Sequence, residues 1–379
     1  MSIPDDKKKL IELDGLRGLA CLLVISHHYF TGAIDFQTPE VISSLIKILR
    51  IFFLSGVDLF FVLSGFLVGG IIIDNHKKLN FLKVFFIRRV CRIFPVYFLL
   101  IFSFWLGLFF FSTSEILNQW LIDKPHPFWT YLTFLQSYSM GIGDFSGASW
   151  VAVSWTVSVE EQFYLLVPFI FILAGVKRAF VIIFLGLLIA PFLRNYFTSE
   201  FGFYGGYMFF PGRMDSIFWG VLLAFITRSR KWTALFSKHS LFLLSCIVFI
   251  LITLSVHILG LINGFRINAG QGLYFSLLAI LYFLIIWAVL ENKIPLFNRL
   301  LRGKILTITG ILSYSMYMFH QLINGLMFGF IFNSKPSLNG DFLHFLVPCI
   351  SLLIVYVFSF ISFKFMEQPI RKFGHKFTY

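Results

Sequence analysis

The chain has 379 residues, of which 58% are hydrophobic and 13% are charged, and its formal net charge is +13. A water-soluble domain of this size could not bury so much apolar surface, so the composition excludes an ordinary soluble enzyme and indicates an integral membrane protein. The positive charge does not indicate a nucleic-acid partner, because Lys and Arg recur in short clusters along the chain and form no single stripe.

Apolar stretches, each long enough to cross about 30 Å of hydrocarbon as a helix, divide most of the sequence. We predict an all-α polytopic bundle of about ten transmembrane helices that forms a single membrane domain over residues 1–379. The predicted spans lie near residues 13–32, 50–74, 93–112, 156–174, 179–194, 213–227, 240–260, 272–290, 306–331 and 342–364.

Basic residues predict the orientation of these spans. With the spans placed as above, 24 of the 31 Lys and Arg residues fall on one side of the membrane. Because cytoplasmic loops retain basic residues, both termini are predicted to be cytoplasmic, with the basic clusters beside anionic lipid headgroups. The longest stretch predicted to be non-helical, residues 113–155, then faces outward, and a loop of that length is often functional.

The first span carries ionisable groups, which are costly in hydrocarbon and often mark a functional site. Arg17 and His28 are eleven residues apart, which places them on one helix face about 16 Å apart along the axis. This arrangement suits a long, thin ligand with an anionic end, such as acyl-coenzyme A. His28 would remove a proton from an acceptor hydroxyl and Arg17 would hold phosphate. Asp14 either orients Arg17 or caps the helix. The alternative to a catalytic His28 is that His27 and His28 are structural and bond to neighbouring helices.

Three arginines, Arg88, Arg89 and Arg92, precede the third predicted span at its cytoplasmic end. The planar guanidinium group binds phosphate through paired hydrogen bonds, so this cluster is a candidate donor-binding site. Determination of membrane topology is an equally good explanation of the cluster.

Two adjacent acids, Glu160 and Glu161, begin the fourth predicted span on the outer side. Adjacent helical residues diverge by about 100°, so one acid can face the bundle interior while the other faces elsewhere. Acids and aromatic residues together would suit a sugar, although helix capping and ion pairing are alternatives. The other candidates on this side are Trp150, Trp155, Asp58, Arg213 and Asp215.

Four cysteines, Cys21, Cys91, Cys246 and Cys349, are dispersed along the chain. Their spacing lacks the close pairing of a metal site or a disulfide framework, so we assign them to packing and predict no metal.

Seven segments together resemble the membrane acyltransferase-3 family, which includes O-antigen acetylases and related sugar acyltransferases. The segments are residues 13–28, 57–67, 88–97, 154–164, 213–215, 313–320 and 367–371. They occur in the expected order and cover nearly the whole chain. The resemblance implies an O-acyltransferase of the bacterial cytoplasmic (inner) membrane that takes acetyl from cytoplasmic acetyl-CoA. The implied acceptor is a sugar hydroxyl of a surface or lipid-linked polysaccharide, such as O-antigen, capsule or exopolysaccharide.

The resemblance also assigns residues to roles. Arg17 and His28 become the best-supported functional pair, and the three arginines become donor-binding or structurally essential. Glu160, which we take as a second catalytic candidate, is joined by Asp58, Asp215 and His320 as site residues without assigned roles. For Glu367, a structural ion pair with the basic loops is an equal alternative.

Several questions stay open at this point. Acyl transfer could be direct or could pass through a covalent acyl-enzyme. Some family members carry an additional soluble esterase-like domain, which we do not expect here because the sequence ends about fifteen residues after the last predicted span. Transfer would then be completed in the membrane domain or handed to a separate protein. The alternative functions are a transporter of an anionic or acylated molecule, an assembly subunit without chemistry, and an acyltransferase with a small-molecule acceptor.

Overall fold

The computed structural model describes residues 11–33, 49–111, 120–235, 271–338 and 342–379, together with residues 46, 242, 245, 246, 248, 249 and 252. Every regular element within these ranges is helical, which confirms the all-α class. The first eight helices are α1 (Ile11–Tyr29), α2 (Gly56–Asn75), α3 (Phe81–Phe111), α4 (Phe128–Leu132), α5 (Gln136–Gly143), α6 (Ser149–Ala152), α7 (Trp155–Met208) and α8 (Phe210–Thr227). The others are α9 (Arg230–Leu235), α10 (Gln271–Leu290), α11 (Pro295–Leu301), α12 (Lys304–Phe332), α13 (Phe342–Ser362) and α14 (Gln368–His375).

Within the described part of the chain, five helical segments are long and apolar enough to cross a membrane. They are Leu49–Asn75, Phe81–Phe111, Ser149–Met208, Gly272–Leu290 and Phe342–His375. These lengths agree with a polytopic membrane protein. The count of ten spans and the cytoplasmic termini stay predictions, and the predicted span at 240–260 lies almost wholly outside the described residues.

Helix α7 contains two of the predicted spans, 156–174 and 179–194, in one helical run. The run is interrupted at Gly175 (φ 70°) and again at Gly202 (φ 76°). Both residues adopt the left-handed backbone conformation that favours glycine, so each marks a change of chain direction. The boundary between the two predicted spans therefore falls at Gly175.

Two boundary predictions were wrong. Helix α3 begins twelve residues before the predicted span at 93–112, because the preceding basic segment continues the same helix. The stretch 113–155, predicted to be non-helical, contains the short helices α4, α5 and α6. These helices are only four to eight residues long, which is too short for apolar periodicity to predict them.

A close backbone contact joins α1 to α12 through glycines. A side-chain carbon at Gly18 would overlap the main-chain carbonyl of Leu306, and one at Gly310 would overlap that of Asp14. Small residues let helix backbones approach in this way within membranes. The contact fixes the rotation of α1, and with it the direction of its polar side chains.

A second close contact joins α2 to α8. Gly65 of α2 lies against the main chain of Ile217, and Gly220 of α8 lies against that of Val62. Helices α1 and α2 also contact each other, so these two glycine contacts hold the central helices in a fixed arrangement.

Replacing Gly310 by valine should destabilise the bundle by about 1–3 kcal/mol, because the added carbons would force α1 away from α12. Thermal unfolding of the purified protein in detergent measures the effect. Ile308→Val is the control on the same helix, since the side chain of Ile308 is 47% exposed and its change should stay within about 0.5 kcal/mol. Equal melting temperatures for both variants would contradict this packing.

Candidate active site

Three cavities lie in series among the central helices, and each is named here by its lining. The basic cavity, of about 230 Å³, is lined by Asp14, Arg17, Arg92, Glu367, Arg371 and Lys372, among others. The central cavity, of about 100 Å³, is lined by Arg17, Arg89, Arg92, Ser64, Glu160 and Tyr164, among others. The histidine cavity, of about 360 Å³, is lined by His27, His28, Trp155, Tyr207, Gln321 and Asn324, among others.

Shared residues show the order of the three cavities. Arg17, Arg92 and their neighbours Ser313 and Tyr314 line both the basic and the central cavity. The central and histidine cavities share Val57 and Tyr317. Arg17 therefore lies at the boundary between the first two cavities, whereas His28 lies in the third, as their separation along α1 requires.

The basic cavity has more positive than negative charge. Its lining holds four cationic side chains and two carboxylates: Arg17, Arg92, Arg371 and Lys372, with Asp14 and Glu367. Arg17 donates a hydrogen bond to Asp14 Oδ1 at 3.2 Å, so the two side chains are in contact. Guanidinium groups suit phosphate, and the excess of positive charge favours an anionic ligand in this cavity.

The three arginines of the predicted donor-binding cluster separate in space. Arg92 lines the basic and central cavities, and buried Arg89 lines the central cavity with its guanidinium group 5.5 Å from the ring centre of Tyr164. Arg88 lines none of the three cavities. Its Nε and Nη2 donate to the carbonyl of Phe377 at 3.1 and 2.7 Å, so Arg88 anchors the C-terminal segment.

Glu160 and Glu161 diverge, as their offset on the helix predicts. Glu160 lines the central cavity together with Ser64 and Tyr164, whose hydroxyls are 2.9 Å apart. Glu161 lines none of the three cavities, and its buried Oε1 finds no hydrogen-bond partner among the residues that the structure describes. Of the two acids, only Glu160 is placed to contact a ligand.

His28 belongs to a cluster of three imidazoles. Its ring centre is 4.9 Å from that of His27 and 5.1 Å from that of His320. The amide nitrogen of Gln321 lies 3.0 Å from His28 Nδ1 and 3.2 Å from its Nε2. Gln321, one residue beyond the matching 313–320 segment, was not singled out from the sequence. The cluster places a polar partner beside the candidate base.

The neutral ring of His320 has a defined tautomer. Its Nδ1 lies 2.6 Å from the carbonyl of Tyr317, so Nδ1 carries the hydrogen and donates it. The lone pair then remains on Nε2, which is buried and has no hydrogen-bond partner within the described ranges. His320 thus supports the wall behind His28 while keeping one acceptor atom available.

Aromatic residues form part of the wall of the histidine cavity. The ring centres of Trp155 and Tyr207 are 4.8 Å apart, and the hydroxyls of Ser146 and Ser149 and the amide of Asn324 line the same cavity. Trp150 is not part of this lining, because its ring packs against Gly107 and Phe104. Flat apolar faces beside hydroxyl and amide groups could contact a sugar.

Asp58, Arg213 and Asp215 lie in a buried ionic network that lines none of the three cavities. Arg213 bonds to Asp58 at 2.7 Å, and Arg194 bonds to Asp215 at 2.5 Å, with all four side chains almost fully buried. Ser276 also donates to Asp215, so the network ties α2, α7, α8 and α10 together. Arg194 was not singled out in the sequence analysis. The one signal that could have identified it is its position at the end of the apolar span 179–194.

Glu367 is buried at the end of a π-helical segment, Phe363–Glu367, between α13 and α14. It accepts a hydrogen bond from the hydroxyl of Ser315 at 2.6 Å and lines the basic cavity. The π-helix adds a residue to one turn and so redirects the side chains that follow it. Arg371, one turn later, reaches the basic cavity and was not singled out from the sequence as a donor-binding residue.

Within the described residues, no cluster of three or more His, Cys, Asp or Glu side chains could hold a metal ion. The four cysteines are free thiols.

Apolar membrane-length helices around charged cavities are typical of integral membrane enzymes and transporters. A family model, the Acyl_transf_3 acyltransferase domain, matches residues 10–364. The chain belongs to this acyltransferase family, in agreement with the resemblance found in its sequence.

Two curated relatives are O-acetyltransferases by name. The chain is 28% identical over 388 residues to O-acetyltransferase OatA of Staphylococcus aureus, which covers 93% of the chain and 58% of the relative. It is 25% identical over 383 residues to peptidoglycan O-acetyltransferase OatA of Listeria monocytogenes, which covers 97% of the chain and 57% of the relative. The chain thus spans less than two thirds of the length of these relatives. No solved structure matches the chain.

Removing one partner of the buried ionic network should be costly. Arg194→Leu leaves Asp215 buried without its guanidinium partner, so we expect a loss of about 3–5 kcal/mol in unfolding free energy. The control is Arg228→Leu, which breaks a surface pair with Asp74 whose side chains are 32% and 44% exposed and should cost about 0–1 kcal/mol. Thermal unfolding in detergent compares the two, and a larger loss for Arg228→Leu would contradict the structural role of the network.

Proposed function

We propose that this protein is a membrane O-acetyltransferase that transfers acetyl from acetyl-CoA to a hydroxyl group of a surface or lipid-linked polysaccharide. Membership of the acyltransferase family supports the reaction class. The observation that carries the proposal is the order of the cavities, in which a basic cavity leads through the central cavity toward His28.

In this proposal the donor enters through the basic cavity. Its phosphates bind near Arg17, Arg92 and Arg371, and its narrow arm extends into the central cavity beside Glu160. The carboxyl group of Glu160 can accept a hydrogen bond from an amide of that arm. Acetyl-CoA is made in the cytoplasm, so this cavity would open toward the cytoplasm and the protein would lie in the bacterial cytoplasmic membrane.

The acceptor occupies the histidine cavity. The Trp155 and Tyr207 rings offer apolar surface to a sugar ring, and Asn324 and Gln321 offer hydrogen bonds to its hydroxyls. O-antigen, capsule and exopolysaccharide units are the acceptors predicted from the sequence. One relative carries peptidoglycan in its name, so peptidoglycan belongs in the same acceptor screen.

The proposed chemistry is direct transfer. The acceptor oxygen attacks the thioester carbonyl carbon while His28 takes the hydroxyl proton. Collapse of the tetrahedral intermediate breaks the carbon–sulfur bond, and the departing thiolate receives the proton from His28. The products are an acetyl ester and free coenzyme A. His320 and Gln321 hold the His28 ring in place during both proton transfers.

His28→Ala should lower acetyl transfer by about 10²–10⁴-fold, because a positioned general base contributes about that much. Membrane vesicles from expressing cells, supplied with radiolabelled acetyl-CoA, report transfer as alkali-labile label in glycan. The control is His76→Ala, which should keep wild-type transfer. His76 lies outside the three cavities, where its Nδ1 bonds to the carbonyl of Ile73. Undiminished transfer by His28→Ala would refute its role, and no consumption of donor by wild type would favour the transporter alternative.

Arg92→Ala and Arg371→Ala should each raise the KM for acetyl-CoA about 10- to 100-fold, because a hydrogen bond to a charged group contributes about 1.5–3 kcal/mol. Arg88→Ala should leave this KM near the wild-type value and lower the melting temperature instead, since Arg88 bonds to the C-terminal segment. Steady-state kinetics in vesicles at varied acetyl-CoA measure the difference. A raised KM in Arg88→Ala alone would place the donor elsewhere.

A further inference from the structure

Two side chains separate the central cavity from the histidine cavity. Of the described residues, only Val57 of α2 and Tyr317 of α12 line both. The two cavities hold different groups, with Glu160 and the arginines on one side and the histidines on the other. The two cavities therefore meet at Val57 and Tyr317.

We propose that Val57 and Tyr317 form a constriction that restricts the enzyme to short acyl groups and makes acetyl the preferred one. The inference rests on the proposed function, because it assumes an acyl donor in the central cavity. The names of the relatives specify acetyl; the inference adds the two residues that would set the selectivity for acyl length.

Val57 is held in place by the network next to it. The side chain of Val57 is 4% exposed, and the adjacent Asp58 accepts hydrogen bonds from Arg213 at 2.7 Å and Ser216 at 3.2 Å. Gly56 lies against the main-chain carbonyl of Ala20 on α1. Helix α2 is thus fixed to α8 and to α1 around Val57, so this wall of the constriction cannot easily retreat.

Tyr317 is fixed on the opposite wall. Its ring centre lies 5.8 Å from that of Phe60 and 5.8 Å from that of His320. Its own carbonyl accepts the hydrogen bond from His320 Nδ1. The constriction therefore lies directly beside the imidazole cluster, where the acyl carbon would have to stop for reaction.

A rigid apolar wall discriminates by chain length. One extra methylene in a closely fitting apolar site changes kcat/KM by about 10- to 200-fold. Propionyl has one methylene more than acetyl, and valine to alanine removes two methyl groups from the wall. The wild-type protein should therefore prefer acetyl-CoA to propionyl-CoA by about tenfold or more, and alanine at position 57 should reduce that preference.

The test compares kcat/KM for acetyl-CoA, propionyl-CoA and butyryl-CoA in membrane vesicles that contain the full chain, with esterified label in glycan as the readout. Val57→Ala should raise the propionyl-to-acetyl ratio about tenfold. Val62→Ala is the matched control, because it removes the same two methyl groups from a buried position of α2 that lines none of the three cavities. Its ratio should equal that of wild type.

Tyr317→Leu widens the constriction independently and should shift the ratio in the same direction. It provides the test if Val57→Ala folds poorly. Folding of each variant is checked by its elution in detergent. A ratio equal to wild type in folded Val57→Ala and folded Tyr317→Leu would overturn the inference while leaving acetyl transfer intact. Failure of the proposed function is a different result, in which the wild type esterifies glycan with none of the three donors.

Discussion

The backbone contact between α1 and α12 is the constraint on which the candidate site depends. Gly18 and Gly310 allow the two helices to touch along their main chains, and close contact of this kind leaves little freedom of rotation. The two helices also carry His28 and His320, so the same contact brings the imidazoles together. A helix pair separated by larger residues would not bring the two rings within 5.1 Å of each other.

Charged side chains among the central helices fall into two groups with different consequences. Asp58, Asp215, Arg194 and Arg213 bond to one another, which offsets the cost of burying them in a low-dielectric interior. The cations of the basic cavity outnumber its carboxylates, so their charge is available to a ligand. The first group ties the helices together beside Val57. In the proposed function, the second group binds the anionic donor at the other end of the path.

The sequence predicted the parts of the site that depend on local spacing. Arg17 and His28 follow from a single helix, and the observed α1 has nearly the predicted bounds. Contacts between distant segments could not be predicted from one sequence. Arg88, grouped with its neighbours by sequence, bonds instead to the C-terminal segment. Asp58 and Arg194 each pair with a residue of α8. The short helices between residues 128 and 152 were missed because four to eight residues are too few to show an apolar period.

The most direct test of this account is an experimental structure of the full chain with a non-hydrolysable acetyl-CoA analogue bound in lipid nanodiscs. The account predicts density for the nucleotide phosphates beside Arg17, Arg92 and Arg371, with the acyl end at Val57 and Tyr317, facing His28. Nucleotide density in the histidine cavity, or outside all three cavities, would contradict it.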